Sequence, residues 1–160
     1  MADLTRGRVI AKVRAGESLE GADLSGLDIT GANLSSGDLR GANLKGANLT
    51  GAYLTGTHLE GASLERADLK SARLRSANLS EANLSGAKLI RTDMSGANLS
   101  GANLSDADLS DANLWKANLT GANLLHANLT RALMAMANLR GANLIQADLT
   151  ETQLIRAELT

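Results

Sequence analysis

Gly96-Ala97-Asn98-Leu99-Ser100-Gly101-Ala102-Asn103-Leu104-Ser105 states one five-residue unit twice. Outward from it, in both directions, the unit never loses step. Every fifth residue from Leu19 to Leu159 is Leu except Ile29, Met94 and Met134, giving 29 pentads without insertion or deletion. From Ala22 onward, Ala stands two places before the central residue, with Leu27, Gly37, Thr57, Thr92 and Thr152 as exceptions. A polar residue, mostly Asn or Asp, lies between them. Ser, Thr or a charge follows, and the fifth place is Gly in about half the units.

An α-helix cannot use this pattern. Ala and Leu two apart lie ~200° apart around a helix, and successive Leu advance by ~500°, so no apolar face forms. A straight strand fails as well, because an odd period sends alternate Leu to opposite faces. A chain that turns a corner after each short extended piece satisfies both constraints. Ala and Leu then share the inner face, and the polar residue between them points out. Gly at the corner tolerates the backbone angles of a tight turn. Every Leu points to one axis.

Charges set the number of pentads per coil. A residue in a solenoid stacks on its equivalent one coil later, about 4.8 Å away, where opposite charges are favoured. At a separation of 20, nine charged pairs occur and all are opposite: Glu20/Arg40/Glu60, Lys45/Glu65, Asp68/Lys88/Asp108, Arg73/Asp93 and Arg91/Asp111/Arg131/Glu151. A separation of 15 gives four opposite and four like, and 25 gives three opposite and six like. Four pentads per coil follow, hence about seven coils and a rod of roughly 35 Å. Leu99, Leu104, Leu109 and Leu114 make up the core stack of one such coil.

The A(N/D)LXX tandem resembles the pentapeptide repeat family over residues 19–160, with Ala2-Asp3-Leu4-Thr5 as a stray unit. The resemblance implies an all-β fold, a right-handed quadrilateral parallel β-helix. It says little about function. One branch of that family resembles B-DNA in shape and charge and binds DNA gyrase. That branch often carries Phe at central positions and a C-terminal dimerisation segment. Here there is no Phe, and the last pentad runs straight to Thr160.

Composition fits one narrow domain. The 44% hydrophobic content is mostly Ala and Leu, with Tyr53 and Trp115 the only aromatics. A net charge of −1, from 16 basic and 17 acidic residues, argues against direct nucleic-acid or membrane attraction. Without Cys there is no disulfide framework and no Cys-based metal site. No signal-like or bilayer-length apolar run is present, so a cytoplasmic, bacterial protein is the expectation.

Residues 1–18 stand apart. Arg6, Arg8, Lys12 and Arg14 make this end basic, and Val9, Ile10 and Val13 are β-branched. Two readings stay open: a cap over the first coil, or a basic docking arm left at a junction. Between residues 66 and 95, most corner glycines give way to Arg66, Ser71, Ser76, Glu81 and Arg91. Because positive φ is costly for these residues, they predict a different turn type. Tyr53, Arg73 and Asp93 stack in register, and two readings stay open: a solvated surface ladder worth little, which is favoured, or a cation–π contact followed by an ion pair.

Toward the C-terminus, outward positions become apolar. Trp115, Ala135 and Ile155 stack on one face with Leu133 and Met136 near them, and Leu125 and Ile145 stack on the opposite face. Contiguous exposed apolar residues suggest a contact surface. His126 falls between Asp106 and Gln146, and His58 between Asp38 and Asn78. One His with one Asp lacks both a dry pocket and the ligand count of a metal site, so no catalytic, cofactor or metal residues are assigned. The expectation is a non-catalytic scaffold with a protein partner, and a homodimer through the C-terminal end is one form of it. The alternative is a DNA-mimicking rod that binds a type II topoisomerase such as DNA gyrase.

Overall fold

In the computed structural model, which describes residues 4–159, the polar residue of each pentad bridges its counterpart in parallel, always 20 residues later. Ala2 and Asp3 of the stray unit, and Thr160, lie outside the described residues. The bridges form four columns, one per side. The first face starts at Asp23 and Asn43, the second at Asp28 and Asn48. The third runs Asn33, Tyr53, Arg73, Asp93, Asn113, Leu133, Gln153, and the fourth starts at Asp38 and His58. Four pentads per coil is therefore the observed winding.

Each pentad closes the same backbone bonds. Leu104 N–H donates to the Asn123 carbonyl at 2.7 Å, Asn103 N–H to the Ala82 carbonyl at 2.9 Å, and Ala107 N–H closes the corner on the Leu104 carbonyl at 3.1 Å. The third residue of that corner has positive φ and the second does not, which is a type II turn.

The expectation of a different turn at non-glycine corners is wrong. Fifteen non-glycine residues, among them Arg66, Ser71, Ser76, Glu81 and Arg91, adopt φ of 54–61° at the same position glycine fills elsewhere. Each costs roughly 1–2 kcal/mol relative to ordinary backbone. The ladder holds them there: the Ser71 N–H, for instance, donates to the Ile90 carbonyl at 3.0 Å. A strained conformation persists where its surroundings over-determine it.

Inside, the rod is filled. Leu99, Leu104, Leu109 and Leu114 are wholly buried, and the Ala rows between them are nearly so. The threonines that replace Ala keep the core satisfied. Thr57, Thr92 and Thr152 hydroxyls donate to the carbonyls of Leu34, Leu69 and Leu129 at 2.8–3.0 Å, each 23 residues back. A buried hydroxyl without such a partner would be costly.

Outside, Asn does two jobs at once. Its Oδ1 accepts the backbone N–H two residues on, and its Nδ2 donates to the side chain one coil below. Thus Asn118 donates to Asn98 at 3.2 Å and Asn98 to Asn78 at 3.1 Å, while Asn143, Asn123, Asn103 and Asn83 form a second chain. Asp can only accept, and three of them receive the bond of an Asn one coil above: Asp23 under Asn43, Asp93 under Asn113, Asp108 under Asn128.

Residues 6–14 are helical. α1 (Arg6–Arg14) has Thr5 as N-cap, its side chain accepting the Arg8 N–H, and Lys12 and Arg14 in the last turn, where positive charge suits the helix end. Val9 is buried in the same cluster as the solenoid leucines, with Leu4, Ile10 and Val13 packed against it. Gly37 sits in a crowded place: a Cβ there would lie 2.9 Å from the Leu34 carbonyl oxygen, 3.1 Å from the Leu39 side chain and 3.2 Å from Val13 of α1, so the Ala of the repeat would need its surroundings to shift. Among the described residues, no helix is long and apolar enough to cross a membrane.

Of the stacked charges, Glu20–Arg40, Lys45–Glu65 and Asp111–Arg131 close to within 4 Å, the last through two guanidinium bonds. These are exposed pairs and contribute little individually. Together with local hydrogen bonds they bias the carboxylates. The Arg40 guanidinium, then the Ser18 hydroxyl, hold Asp38 far below the usual carboxylate range. The Arg131 guanidinium lowers Asp111, Lys45 lowers Glu65, and Thr30 and Thr150 hydroxyls lower Asp28 and Asp148. Every one is depressed in the folded state. Their contribution is therefore present above the unfolded value of about 4 and is lost as pH falls through the folded values. The melting temperature is expected to stay level from neutral pH to about 5 and to drop below about 4. Thermal melts monitored by circular dichroism check this, and a melting temperature that rises on acidification contradicts it.

Candidate functional site

The third face departs most from a plain polar wall. The residue following each core position on this face reads Ser35, Thr55, Arg75, Ser95, Trp115, Ala135, Ile155 up the rod. Large and small side chains alternate from Arg75 onward. Ser95, 8% exposed, sits low between Arg75 and Trp115, and its hydroxyl donates to Asp93 at 2.8 Å. Ala135 makes a second notch between Trp115 and Ile155. Trp115, Leu133 and Ala135 line one shallow depression with Asn113 and Gln153, and Arg75 and Asp93 lie along its N-terminal rim. Trp115 is 45% exposed, Leu133 39%, Met136 44% and Ile155 69%. Packed residues of this size rarely stay so open on a surface without a use.

The register read from the sequence puts Trp115, Leu133, Ala135 and Ile155 on this side and Leu125 and Ile145 on the opposite one, and the bridge columns have the same arrangement. Leu125 and Ile145 stand on the first face, across the rod, with Leu125 half-buried and Ile145 exposed. They share no surface with Trp115.

A basic depression adjoins the apolar one. Tyr53, Arg73, Arg75 and Arg91 line it with Ser71, Ser76 and Asp93. Arg73 lies over the Tyr53 ring, 4.8 Å from its centre, which is the less favoured of the two readings of this column. The Arg73–Asp93 ion pair of that reading is not formed. Asp93 is approached instead by Arg75, whose Nε is 3.9 Å from a carboxylate oxygen, because Arg73 is directed down onto the tyrosine. Lys116, at the corner beside Trp115, lies over the indole at 4.4 Å. Sequence reading missed Arg75, Arg91 and Lys116 as parts of this surface. Reading the outward column at intervals of 20, from Arg75 to Ile155, would have found the first.

The histidines sit where the register predicts. His126 Nδ1 is 3.3 Å from Asp106 and its Nε2 2.5 Å from Gln146, all three exposed on one edge. His58 bridges Asp38 and Asn78 through its backbone. Its side chain leans to Glu60 at 3.4 Å, because Asp38 is already engaged by Arg40 and Ser18. Neither histidine faces a nucleophile in an enclosed site. Among the described residues, no group of three or more His, Cys, Asp or Glu is placed to hold a metal ion.

Comparison with known proteins agrees with this architecture. The family described as Pentapeptide repeats matches in eight copies, together spanning residues 18–160. HetL, a pentapeptide repeat protein involved in heterocyst differentiation regulation from the cyanobacterium Nostoc sp. strain PCC 7120, is 30% identical. The match covers 98% of this chain and 95% of that one, with a TM-score of 0.43. Rfr23, a pentapeptide repeat protein from the cyanobacterium Cyanothece 51142, is 35% identical over 68% of this chain and 64% of that one, with a TM-score of 0.41. QnrB1, a plasmid-mediated fluoroquinolone resistance protein, is 21% identical over 95% of this chain and 81% of that one, with a TM-score of 0.61. No curated protein matches this chain.

Proposed function

This chain belongs to the pentapeptide repeat family, whose members fold as right-handed quadrilateral β-helices, and on that premise we propose that it acts as a non-catalytic protein-binding scaffold. The observation that carries this reading is the third face. A filled rod spends its inner residues on packing, so recognition falls to the outward ones. There Trp115, Leu133 and Met136 are each about two-fifths exposed and Ile155 more, large apolar side chains open to solvent toward one end of the rod. The α1 helix, with Val9 buried in the core cluster, acts as the cap of the first coil in this reading.

The test is loss of partner retention. The immobilised protein is expected to retain a protein partner from an extract of its native cells, and Trp115→Ser with Ile155→Ser to abolish retention while leaving the circular dichroism spectrum unchanged. Equal retention by both proteins removes the third face from the reading. A second copy is one possible partner. Solution mass across a concentration series tells a dimer from a monomer.

A DNA-mimicking rod that binds a type II topoisomerase such as DNA gyrase is the second reading. Asp28, Asp68, Asp108 and Asp148 recur on every second coil of the second face, which favours it. Lys88, in the same column, and Arg91 and Arg131 at its edge break the acidic row. A supercoiling assay with no inhibition at high molar excess removes this reading.

A further inference from the structure

The basic and apolar depressions of the third face share two residues, Arg75 and Asp93, and so form one continuous track along the rod. Its lower half is cationic. Arg73, Arg75 and Arg91 are all exposed there, and Asp93 is the one carboxylate among them. Its upper half is apolar, lined by Trp115, Leu133 and Ala135, with Ile155 following in the same outward column one coil beyond Ala135. The two halves are centred about three coils apart, or roughly 14 Å, which an extended chain covers in about four residues.

We propose that this track docks an extended protein segment in which acidic residues and a large apolar residue are about four positions apart. The inference rests on the protein-binding reading and names the chemistry of the partner. The acidic residues meet Arg73, Arg75 and Arg91, whose guanidinium groups offer paired donors suited to carboxylates. The apolar residue enters the notch at Ala135, and Trp115 supplies the aromatic anchor typical of such contacts. The segment runs along the rod axis, across the coils. It gains no backbone ladder, because the ladder bonds of this face are used between coils.

A nucleic acid strand suits the track less well. Base stacking needs open aromatic faces, and here Arg73 lies over Tyr53 and Lys116 over Trp115. A phosphate backbone needs cations along its whole path, whereas Leu133, Ala135 and Ile155 occupy the upper half.

Trp115 is the only tryptophan, so its fluorescence reports this surface alone. The probes are short synthetic peptides free of aromatic residues: one with two Glu and, about four positions on, two Leu; the same peptide with Lys for Glu; and a single-stranded oligothymidine. The Glu/Leu peptide is expected to shift Trp115 emission saturably, and to weaken as salt is raised. Arg75→Glu with Arg91→Glu is expected to weaken it by about tenfold or more, a change of the size seen when an interface anchor is removed. Both side chains are exposed, Glu81 and Glu151 already stand at corners like that of Arg91, and an unchanged circular dichroism spectrum of the variant checks that the reversals beside Asp93 and Asp111 leave the fold intact. Three outcomes overturn the proposal: an equal response to the Lys peptide, affinity unchanged by the arginine reversals, or a response to oligothymidine alone. If the Glu/Leu peptide fails while Trp115→Ser with Ile155→Ser still abolishes partner retention, the scaffold reading stands and only this inference falls.

Discussion

Leu104→Ala is expected to lower the unfolding free energy by about 3 kcal/mol, the loss typical of a fully buried leucine cut back in a core that cannot collapse around the gap. Leu104 is wholly buried, as are Leu84 and Leu124 directly below and above it. The coils are locked by bonds of 2.7 Å from Leu84 N–H to Asn103 and from Leu104 N–H to Asn123, so neighbours cannot close in. Denaturant titration followed by circular dichroism measures the loss. Leu154→Ala serves as the comparison, since Leu154 is only partly buried and its removal should cost less than half as much. Equal losses at the two sites would show that the interior is not packed as described.

Overfilling should be as damaging as emptying. Ala102 is wholly buried and stacks between Ala82 and Ala122, which are equally buried. Ala102→Leu forces three extra carbons into a row with coil contacts on both sides. A cost of about 3 kcal/mol is expected, at the upper end for overpacking because the winding cannot spread locally. A clear drop in melting temperature reads it out, and an unchanged melt would place the Ala row outside the tight interior. Leu27 shows why the position matters more than the residue. It fills the same place in the first coil, where it is only partly buried and no lower coil presses on it.

Period and charge carried most of the architecture. The unbroken five-residue step forced the corners, and the opposite charges at intervals of 20 fixed four pentads per coil, as the bridges from Asp23 to Glu158 bear out. The residues that break the repeat were less legible. Thr57, Thr92 and Gly37 read as exceptions until their surroundings were known: a carbonyl 23 residues back for each threonine, and the Leu34 carbonyl, Leu39 and Val13 crowded around the glycine. The corners misled because intrinsic cost was weighed without the ladder that meets it. Arg66 and Glu81 adopt the strained angle because the bonds on either side leave nowhere else to go. The helical form of Arg6–Arg14 was not foreseen, since Val9, Ile10 and Val13 suit strands as well as helices. At the candidate site, the apolar strip was readable from spacing alone. The basic cluster beside it was legible only in part: Arg73 was read in register with Tyr53, but Arg75 stands in the neighbouring outward row and Arg91 at a corner.

The uniform ladder also sets how the rod bears load. Its bonds point along the axis, each joining a coil only to the next. A pull on the two ends therefore opens one coil at a time, starting where the coil is least buried, around Leu149 to Leu159. Each opening frees 20 residues, as the bridge spacing dictates, and pays out on the order of 70 Å of chain. Extension then proceeds in equal steps at nearly constant tension, as with a ratchet paying out cord, while everything below the break keeps its shape.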